Sequence, residues 1–419
     1  MTIADLITTV TEGAVPMRVE AADGSVVGSS DEGLTLRLHT ERALRYLITA
    51  PGDLGLARAY VSGELELVGA HPGDPYTALC ALANWNFRRP PLSEFPALAQ
   101  QLGVRNLLPP KPPPQEAPSR IRRAVNGLRH SRTRDSRAIG MHYDVSNTFY
   151  EYVLGPSMAY TCAVFDKPDT SLDDAQYEKF DLVARKLGLE PGMRLLDVGC
   201  GWGGMARHAA RNYGVDVVAV TLSAEQAAWA KAETERVGLA EHVTIIHGDY
   251  RDSPGRDYDA VSSIGLLEHV GVANYAAYFE LLRGKLRPGG RLLNHCITRP
   301  DNKTSPMPGA FIDRYVFPDG ELTGAGRIIA EAQDAGFEVR HEENLREHYA
   351  LTLMHWSANL VANWDACVAE VGLPTARVWG LYMAGSRLGF ERNVVQLHQV
   401  LAINPHPSGE ADFPLRPTW

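Results

Sequence analysis

Residues 195–204 read LLDVGCGWGG: an apolar run into Asp197, then four glycines and Trp202 within six positions. The apolar run suits a short buried strand, which needs none of those glycines. Glycine supplies positive φ and lets a ligand approach the backbone with no Cβ in between. The next residues, GMARHAARNYG (204–214), have helical spacing and close on Gly214. The stretch therefore reads as strand, tight turn, helix, with the amides of the turn and the helix N-terminus facing a ligand.

The spacing sorts the ligands. A dinucleotide site needs G-x-G-x-x-G with an acid about 20 residues further on. Gly199, Gly201, Gly203 and Gly204 do not fit it, and the acid, Asp197, comes first. A phosphate loop needs Gly-Lys-Ser/Thr, which is absent. S-adenosylmethionine remains, against the plain alternative of a turn that binds nothing. From residue 178 onward, apolar strand-like runs alternate with helical runs of about 10–15 residues, which implies a mostly parallel sheet covered on both faces.

Working outward, residues 1–89 mix short strand-like and helix-like segments and read as a small N-terminal α+β domain. Residues 90–118 hold nine prolines and read as a semi-rigid surface linker. Residues 119–419 then form the catalytic domain, with an irregular tail from about 300 packing back as a lid or inserted subdomain. Residues 119–137 carry seven arginines against one aspartate. That run is either a solvated helix and loop or a patch for anionic head groups.

The whole chain, 419 residues with 41 basic and 50 acidic side chains, carries a formal charge of −9, which argues against nucleic acid as a partner. Five scattered cysteines (Cys80, Cys162, Cys200, Cys296, Cys367) with no C-x-x-C pair argue against a disulfide framework and a metal site, and suit a reducing cytoplasm. No apolar run approaches the roughly 20 residues of a membrane span, and no signal peptide is visible.

D-x-G-x-G-x-G after a strand resembles the first motif of the Rossmann-like S-adenosylmethionine methyltransferases. VVAVTLSAEQ (217–226), GDY (248–250) and LRPGGRLL (286–293) follow in that family's order. The resemblance narrows on HYDVSNTFYEYVLGPSMAYTCAVF (142–165), GLLEHVG (265–271), HCI (295–297), FPDG (317–320) and HYALTLMHW (348–356). Over roughly residues 140–400 the chain is similar to the cyclopropane-fatty-acyl-phospholipid synthases and to the related mycolic acid cyclopropane synthases, with actinobacterial members nearest. The implied fold is an α/β class I methyltransferase domain. Lid elements at 140–175 and 300–400 would cover the lipid.

The implied reaction moves the methyl carbon of S-adenosylmethionine to the cis double bond of a phospholipid acyl chain. In that family a bound bicarbonate takes the proton from the resulting cation. It is caged by a glutamate, a histidine and a tyrosine, with amides near a cysteine and an isoleucine; the matching residues are Glu268, His295, Tyr349, Cys162 and Ile297. The implied donor contacts are Tyr143, Ser146, Tyr160, Thr161, Asp197, Gly199, Cys200, Gly201, Gly203, Thr221, Leu222, Ser223, Gln226, Asp249 and Tyr250. Each cage residue also has an ordinary reading: Glu268 as a helix cap, His295 as a satisfied core histidine, Tyr349 as packing, Cys162 as a small apolar residue.

Where several family members carry a late cysteine, this chain has Ser386, so a thiolate at that position cannot be required. Proton loss from the transferred methyl gives a ring; a hydride shift first gives an exocyclic methylene. Expected partners are an anionic phospholipid surface met through 119–137, a second copy of the chain in a homodimer, and a reductase if the product is the methylene. The expected location is cytoplasmic, at the inner membrane face. The competing readings are a small-molecule N- or O-methyltransferase and a silent lipid-binding module.

Overall fold

The computed structural model describes residues 2–29, 33–87, 100, 104–118 and 146–419. The chain divides into two compact units. One contains residues 120–308, 317–355 and 389–419; the other contains 1–119, 309–316 and 356–388.

The larger unit is built on a seven-stranded sheet: β1 Arg194–Val198, β2 Asp216–Thr221, β3 Val243–His247, β4 Tyr258–Ile264, β5 Leu286–Thr298, β6 Glu338–Asn344 and β7 Gln396–Ile403. Their order is β6-β7-β5-β4-β1-β2-β3, and only β7 runs antiparallel to its neighbours. Alternate residues feed two cores. Leu195, Ala219, Ala260, Leu293 and Leu401 pack on one side with Phe180, Val183, Met205 and Ala209. Leu196, Val220, Val261, Leu292 and Val400 pack on the other with Tyr278, Phe279 and Leu282. A strand's two-residue period, buried on both faces, produces these continuous apolar runs. The fold is the class I methyltransferase sheet with helices on both faces.

The helices follow their local chemistry. Helix α1 (Asn147–Leu154) is capped by Ser146, whose hydroxyl accepts from the Phe149 amide. Helix α2 (Leu172–Leu187) starts on the Ser171 cap and ends at Gly188 in the left-handed region. Helix α3 (Gly204–Tyr213) follows the glycine turn, and α4 (Ala224–Arg236) starts on the Ser223 cap. Then come the short α5 (Leu267–Val270), α6 (Tyr275–Lys285), α7 (Ala325–Asp334) and α8 (Arg346–Ala362).

LRPGG opens the 13-residue strand β5; an irregularity in the β4 pairing and positive φ at Gly289 accommodate it. The reading of the tail differs from what is seen. The tail after 300 is not irregular. It supplies two of the seven strands, because QLHQVLAI is a short, almost fully buried run of strand length.

The smaller unit has a four-stranded sheet of Val26–Val27, Arg18–Glu20, Thr35–Leu38 and Leu65–Val68, in that order, with helices 41–49 and 53–61. Residues 356–388, read as part of the lid over the catalytic domain, cluster with this unit instead, burying Trp356, Trp379 and Met383. Part of the proline-rich stretch also packs here. The Glu116 carboxylate is fully buried, held by Arg58 at 2.6 and 2.8 Å and paired with Arg314. An unpaired carboxylate could not be buried there, so these two guanidiniums fix residues 116–117. Among the described residues no helix is long and apolar enough to cross a membrane.

Candidate active site

The strand order reverses between β1 and β4, and ligands of open α/β sheets bind at that point beyond the strands' carboxyl ends. Asp197 sits there on β1, 1 % exposed. Its Oδ1 accepts from Ser262 Oγ on β4 at 2.7 Å, while Oδ2 is buried with no hydrogen-bond partner. Burial pushes the carboxyl up to about 6, opposed by the Ser262 bond and the charge of Lys179.

The glycine turn then leaves the sheet, with Gly199, Gly201 and Gly203 all at positive φ. The sequence reading aims the turn's amides at the ligand, but those of Gly199 and Cys200 both donate to the Val220 carbonyl, at 2.9 and 3.0 Å. They tie the turn to β2, since a buried amide must find an acceptor. The glycines matter by shape. A Cβ on Gly201 would meet only Gln226 Nε2, at 4.0 Å, and would stand in open space; one on Gly203 would strike Arg207 Nη1 at 2.9 Å. Gly203 therefore serves the entry to α3.

Two adjoining cavities open at this place. The larger, about 110 Å³, is lined by Tyr160, Thr161, Asp197, Gly199, Cys200 and Gly201, and by Thr221, Leu222 and Gln226. The smaller, about 40 Å³, is lined by Asp249 and Tyr250; both share Gly199, Leu222, Leu266 and His269. Most polar groups are already paired. Thr221 Oγ1 donates to Gln226 Oε1 at 2.8 Å. Asp249 accepts from Arg251 Nε at 2.7 Å and from the Arg251 amide at 2.9 Å. Ser146 and Ser223 line neither cavity; both are spent as helix caps. Tyr143 lies outside the described residues.

Beyond β4, Glu268 rides on α5, nine-tenths buried. Its Oε1 accepts from the Ile297 amide at 2.7 Å and Oε2 is left with no partner. Burial raises this carboxyl to about 7, and the Ile297 bond only partly offsets it. The Ile297 amide, expected to face an anion, is thus consumed by Glu268: the carboxylate needs a donor inside the protein.

His295 lies on β5 opposite Gln399 on β7. Lys186, an ammonium with donors only, donates to Gln399 Oε1 at 2.8 Å and pairs with Glu343. The Gln399 amide nitrogen therefore faces His295 Nδ1, 3.2 Å away, and the ring's proton resides on Nε2. Nε2 is buried without a partner. Burial, helped by Lys179 and Lys186, keeps the ring well below its usual pKa, hence neutral.

Cys162 is fully buried, and burial drives its thiol far up, so it is no thiolate; Sγ donates to the Ala163 and Leu345 carbonyls. Leu345 O also accepts the Tyr349 amide at 3.2 Å, and the Tyr349 ring packs on Phe390 with centroids 4.5 Å apart. The Ala163 amide donates to Thr352 Oγ1, and that of Phe165 to His348 Nδ1, both at 3.0 Å. Residues 162–165 are thereby sewn to α8. Gly265 closes the group: its amide donates to the His295 carbonyl, and a Cβ there would come within 3.0 Å of Thr161.

Four residues escape the motif reading. Gln176 and Lys179 on α2 hold the Tyr160–Cys162 segment, with Gln176 Nε2 donating to Thr161 O and Lys179 Nζ to Thr161 Oγ1, each at 2.9 Å. Their signal is two polar residues at i, i+3 on a largely apolar helical stripe that also buries Lys186. Ser262, next to Ser263 on β4, and Gln399, next to His398 on β7, are buried polar residues within otherwise mostly apolar strands.

The mycolic acid cyclopropane synthetase family model matches residues 130–400. A Mycobacterium tuberculosis protein named "Probable fatty acid methyltransferase" is 58% identical over 408 residues, 97% of this chain and 95% of that one. The cyclopropane-fatty-acyl-phospholipid synthase of Escherichia coli K12 is 38% identical over 260 residues, 62% of this chain and 66% of that one. Among solved structures, mycolic acid cyclopropane synthase CmaA1 with S-adenosylhomocysteine and CTAB superimposes with a TM-score of 0.60 at 32% identity. That match covers 64% of this chain and 97% of the other.

Proposed function

The chain belongs to the mycolic acid cyclopropane synthetase family, and from that premise we propose that it alkylates the cis double bond of phospholipid acyl chains with the methyl carbon of S-adenosylmethionine, leaving a cyclopropane or a methylene branch. That it is an S-adenosylmethionine-dependent fatty acid methyltransferase follows from the family; the phospholipid substrate, the product and the base are our reading.

An alkene is a weak nucleophile, so the sulfonium methyl must be held in line and close. The cleft beside Asp197 and Gly201 would hold it there. As the π pair forms the new carbon–carbon bond, the methyl–sulfur bond breaks and its electrons stay on sulfur. The cation must then lose a proton before water reaches it.

The observation that carries the reading is the pair of orphaned buried atoms, Glu268 Oε2 and His295 Nε2. One accepts and the other donates, which suits a small anion that itself has an O–H. Glu268, His295 and Tyr349 would hold bicarbonate, whose chemistry when bound is to take the proton. Cys162 and Ile297 take part through the backbone and packing, because the thiol is un-ionised and the Ile297 amide belongs to Glu268. The neutral His295 ring keeps its Nε2–H as a donor and does not compete for the proton.

The test is incubation with S-adenosylmethionine and vesicles of cis-unsaturated phospholipid, followed by mass spectrometry of the acyl chains. One added CH2 per chain is expected; ozone cleavage of the product identifies the methylene form and resistance identifies the ring. Rates should fall in degassed buffer and return with added bicarbonate. Product from small-molecule amines but not from vesicles would overturn the proposal.

Residues 119–137 lie outside the described residues, and their role as the contact for an anionic bilayer rests on charge alone. Replacing Arg120, Arg122, Arg123 and Arg129 with glutamine should weaken co-sedimentation with anionic vesicles and leave neutral ones unaffected. Unchanged binding at low salt would refute that contact.

A further inference from the structure

The FPDG motif at 317–320 has no part in the chemistry above, yet it lies against the helix that carries Glu268. Helix α5 is a single turn, Leu267–Val270, with no side-chain cap at Leu266 and an end at Gly271, φ +83°. A helix of that length cannot hold itself, because almost none of its backbone groups find partners within it. The partners come from outside. The Glu268 carbonyl accepts the Glu321 amide at 3.0 Å, and the Val270 carbonyl accepts from Asn274 Nδ2 at 2.8 Å. Just past the helix, the Val272 amide donates to Glu321 Oε2 at 2.7 Å. Glu321, buried and directly after the motif, therefore grips the chain at residues 268 and 272, with its backbone and with its side chain. The Phe317 ring meets that of His269 edge-on, centroids 5.6 Å apart. Further along, the Leu322 amide donates to Pro306 O at 2.8 Å and Thr323 O accepts the Arg299 amide at 2.9 Å, which ties the loop to the exit of β5. Asp319 is buried at φ +68°, a conformation that a non-glycine residue keeps only where its surroundings impose it.

We propose that Glu321 is a positioning residue for Glu268: by clamping the chain at the Glu268 carbonyl and the Val272 amide, it aims the unpartnered Oε2 of Glu268 into the cage. This rests on the reading of Glu268 as part of that cage. The Ile297 amide fixes Glu268 Oε1 at 2.7 Å, and where Oε2 then points depends on where α5 places the Cα. The second constraint has to come through the backbone, and Glu321 supplies it. What the geometry uses is an oxygen that accepts from Val272, so glutamine serves there and alanine does not.

The distinguishing experiment reads the Ile297 amide of the full-length protein, which is bonded to Glu268 and so reports on Glu321 only through it. In Glu321→Ala its hydrogen exchange should quicken about tenfold or more, with β1 and β2 unchanged, and in Glu321→Gln it should keep parental protection. Glu321→Leu, which keeps the volume and loses the acceptor, should behave as alanine does and serves if the alanine variant does not fold. Turnover on vesicles of cis-unsaturated phospholipid should fall about tenfold in Glu321→Ala and hold within about threefold in Glu321→Gln, the scale of a displaced catalytic group. Calorimetry with S-adenosylhomocysteine should give parental affinity in both. Added to Glu268→Gln, the alanine substitution should cost little more, since two residues that act through one group are not additive. A full loss repeated on that background, or unchanged Ile297 exchange in a folded variant lacking the acceptor, overturns the proposal. A parent protein that methylates no acyl chain overturns the functional reading instead, and the exchange result then decides the clamp alone.

Discussion

The two halves of the site are built on opposite terms. In the donor cleft the polar groups are largely satisfied before any ligand arrives: Thr221 with Gln226, Asp249 with Arg251, the Gly199 and Cys200 amides with Val220. In the cage, Glu268 and His295 are each held from behind by one bond, and each presents a buried atom with nothing to bind. Apart from the buried charges of Asp197 and Lys179, the cleft is a shape that tolerates being empty. The cage is a standing electrostatic cost, tolerable because the fold around it is closed on itself. Recognition by shape should fail through added atoms, and recognition by unmet polarity through removed ones.

The largest expected effect tests the shape. Gly201→Val places a side chain in open cavity space and should abolish S-adenosylhomocysteine binding; the left-handed φ of +53° adds strain of about 1–2 kcal/mol, so circular dichroism must confirm that the variant is folded. A folded variant with parental affinity in calorimetry would break the comparison at its first half.

Next comes the cage. Glu268→Gln removes the accepting charge but keeps the volume, and should cost on the order of 10²-fold or more in turnover while donor affinity stays within about twofold. Equal losses in both would merge the two halves into one site.

Asp197 belongs to both descriptions and sharpens the line between them. Its folded carboxyl lies near 6, above its ordinary value of 3.8, so the charged form costs stability at every pH above about 6. That cost is relieved as pH falls through 6. Asp197→Asn should therefore stabilise the ligand-free protein at pH 8 by up to about 3 kcal/mol in urea unfolding, a gain that shrinks toward pH 4. Donor binding should weaken in the same variant. No gain in stability would mean that the buried charge is better solvated than its partners suggest.

The smallest effect concerns the atom behind His295. Gln399→Leu removes the donor to Nδ1 and should lower turnover about tenfold with donor affinity intact. Gln399→Glu keeps an acceptor for Lys186 but invites the ring proton onto Nδ1, and should be at least as damaging. Parental turnover in Gln399→Glu would show that the tautomer is irrelevant.

Local signals were legible in the sequence; cross-strand and cross-helix ones were not. Asp197 and the glycines announce a turn because their conformational demands are local, and nearly all the residues of that motif reach the cavity. Glu268 and His295 come into view through motif resemblance, since a carboxyl on a short helix and a histidine on an apolar strand have ordinary readings. Gln399 gives no signal at all: its role exists only once β7 is laid against β5, about a hundred residues apart in sequence. Lys179 is legible as an oddity, a charge on a buried helical stripe, but its meaning needs the cavity. The glycine-loop amides were misassigned because a sequence cannot say which acceptor an amide finds first. The tail was misread because a strand joining from the far end of the chain carries no alternation when both its faces are covered.

The pairing of β7 with β5 has one more implication. β7 is buried along all but its first residue, so the polarity of its two faces does little to hold its register. The register is set by the span from Arg392 to Val395, which connects the preceding helix to the strand, together with a few polar contacts such as Lys186 with Gln399 and Thr298 with His398. Lose or add one residue there, and His398 or Val400 stands where Gln399 now faces His295. Drift in the length of an exposed loop would then rewrite acid–base chemistry in the interior, with every residue of the cage left unchanged.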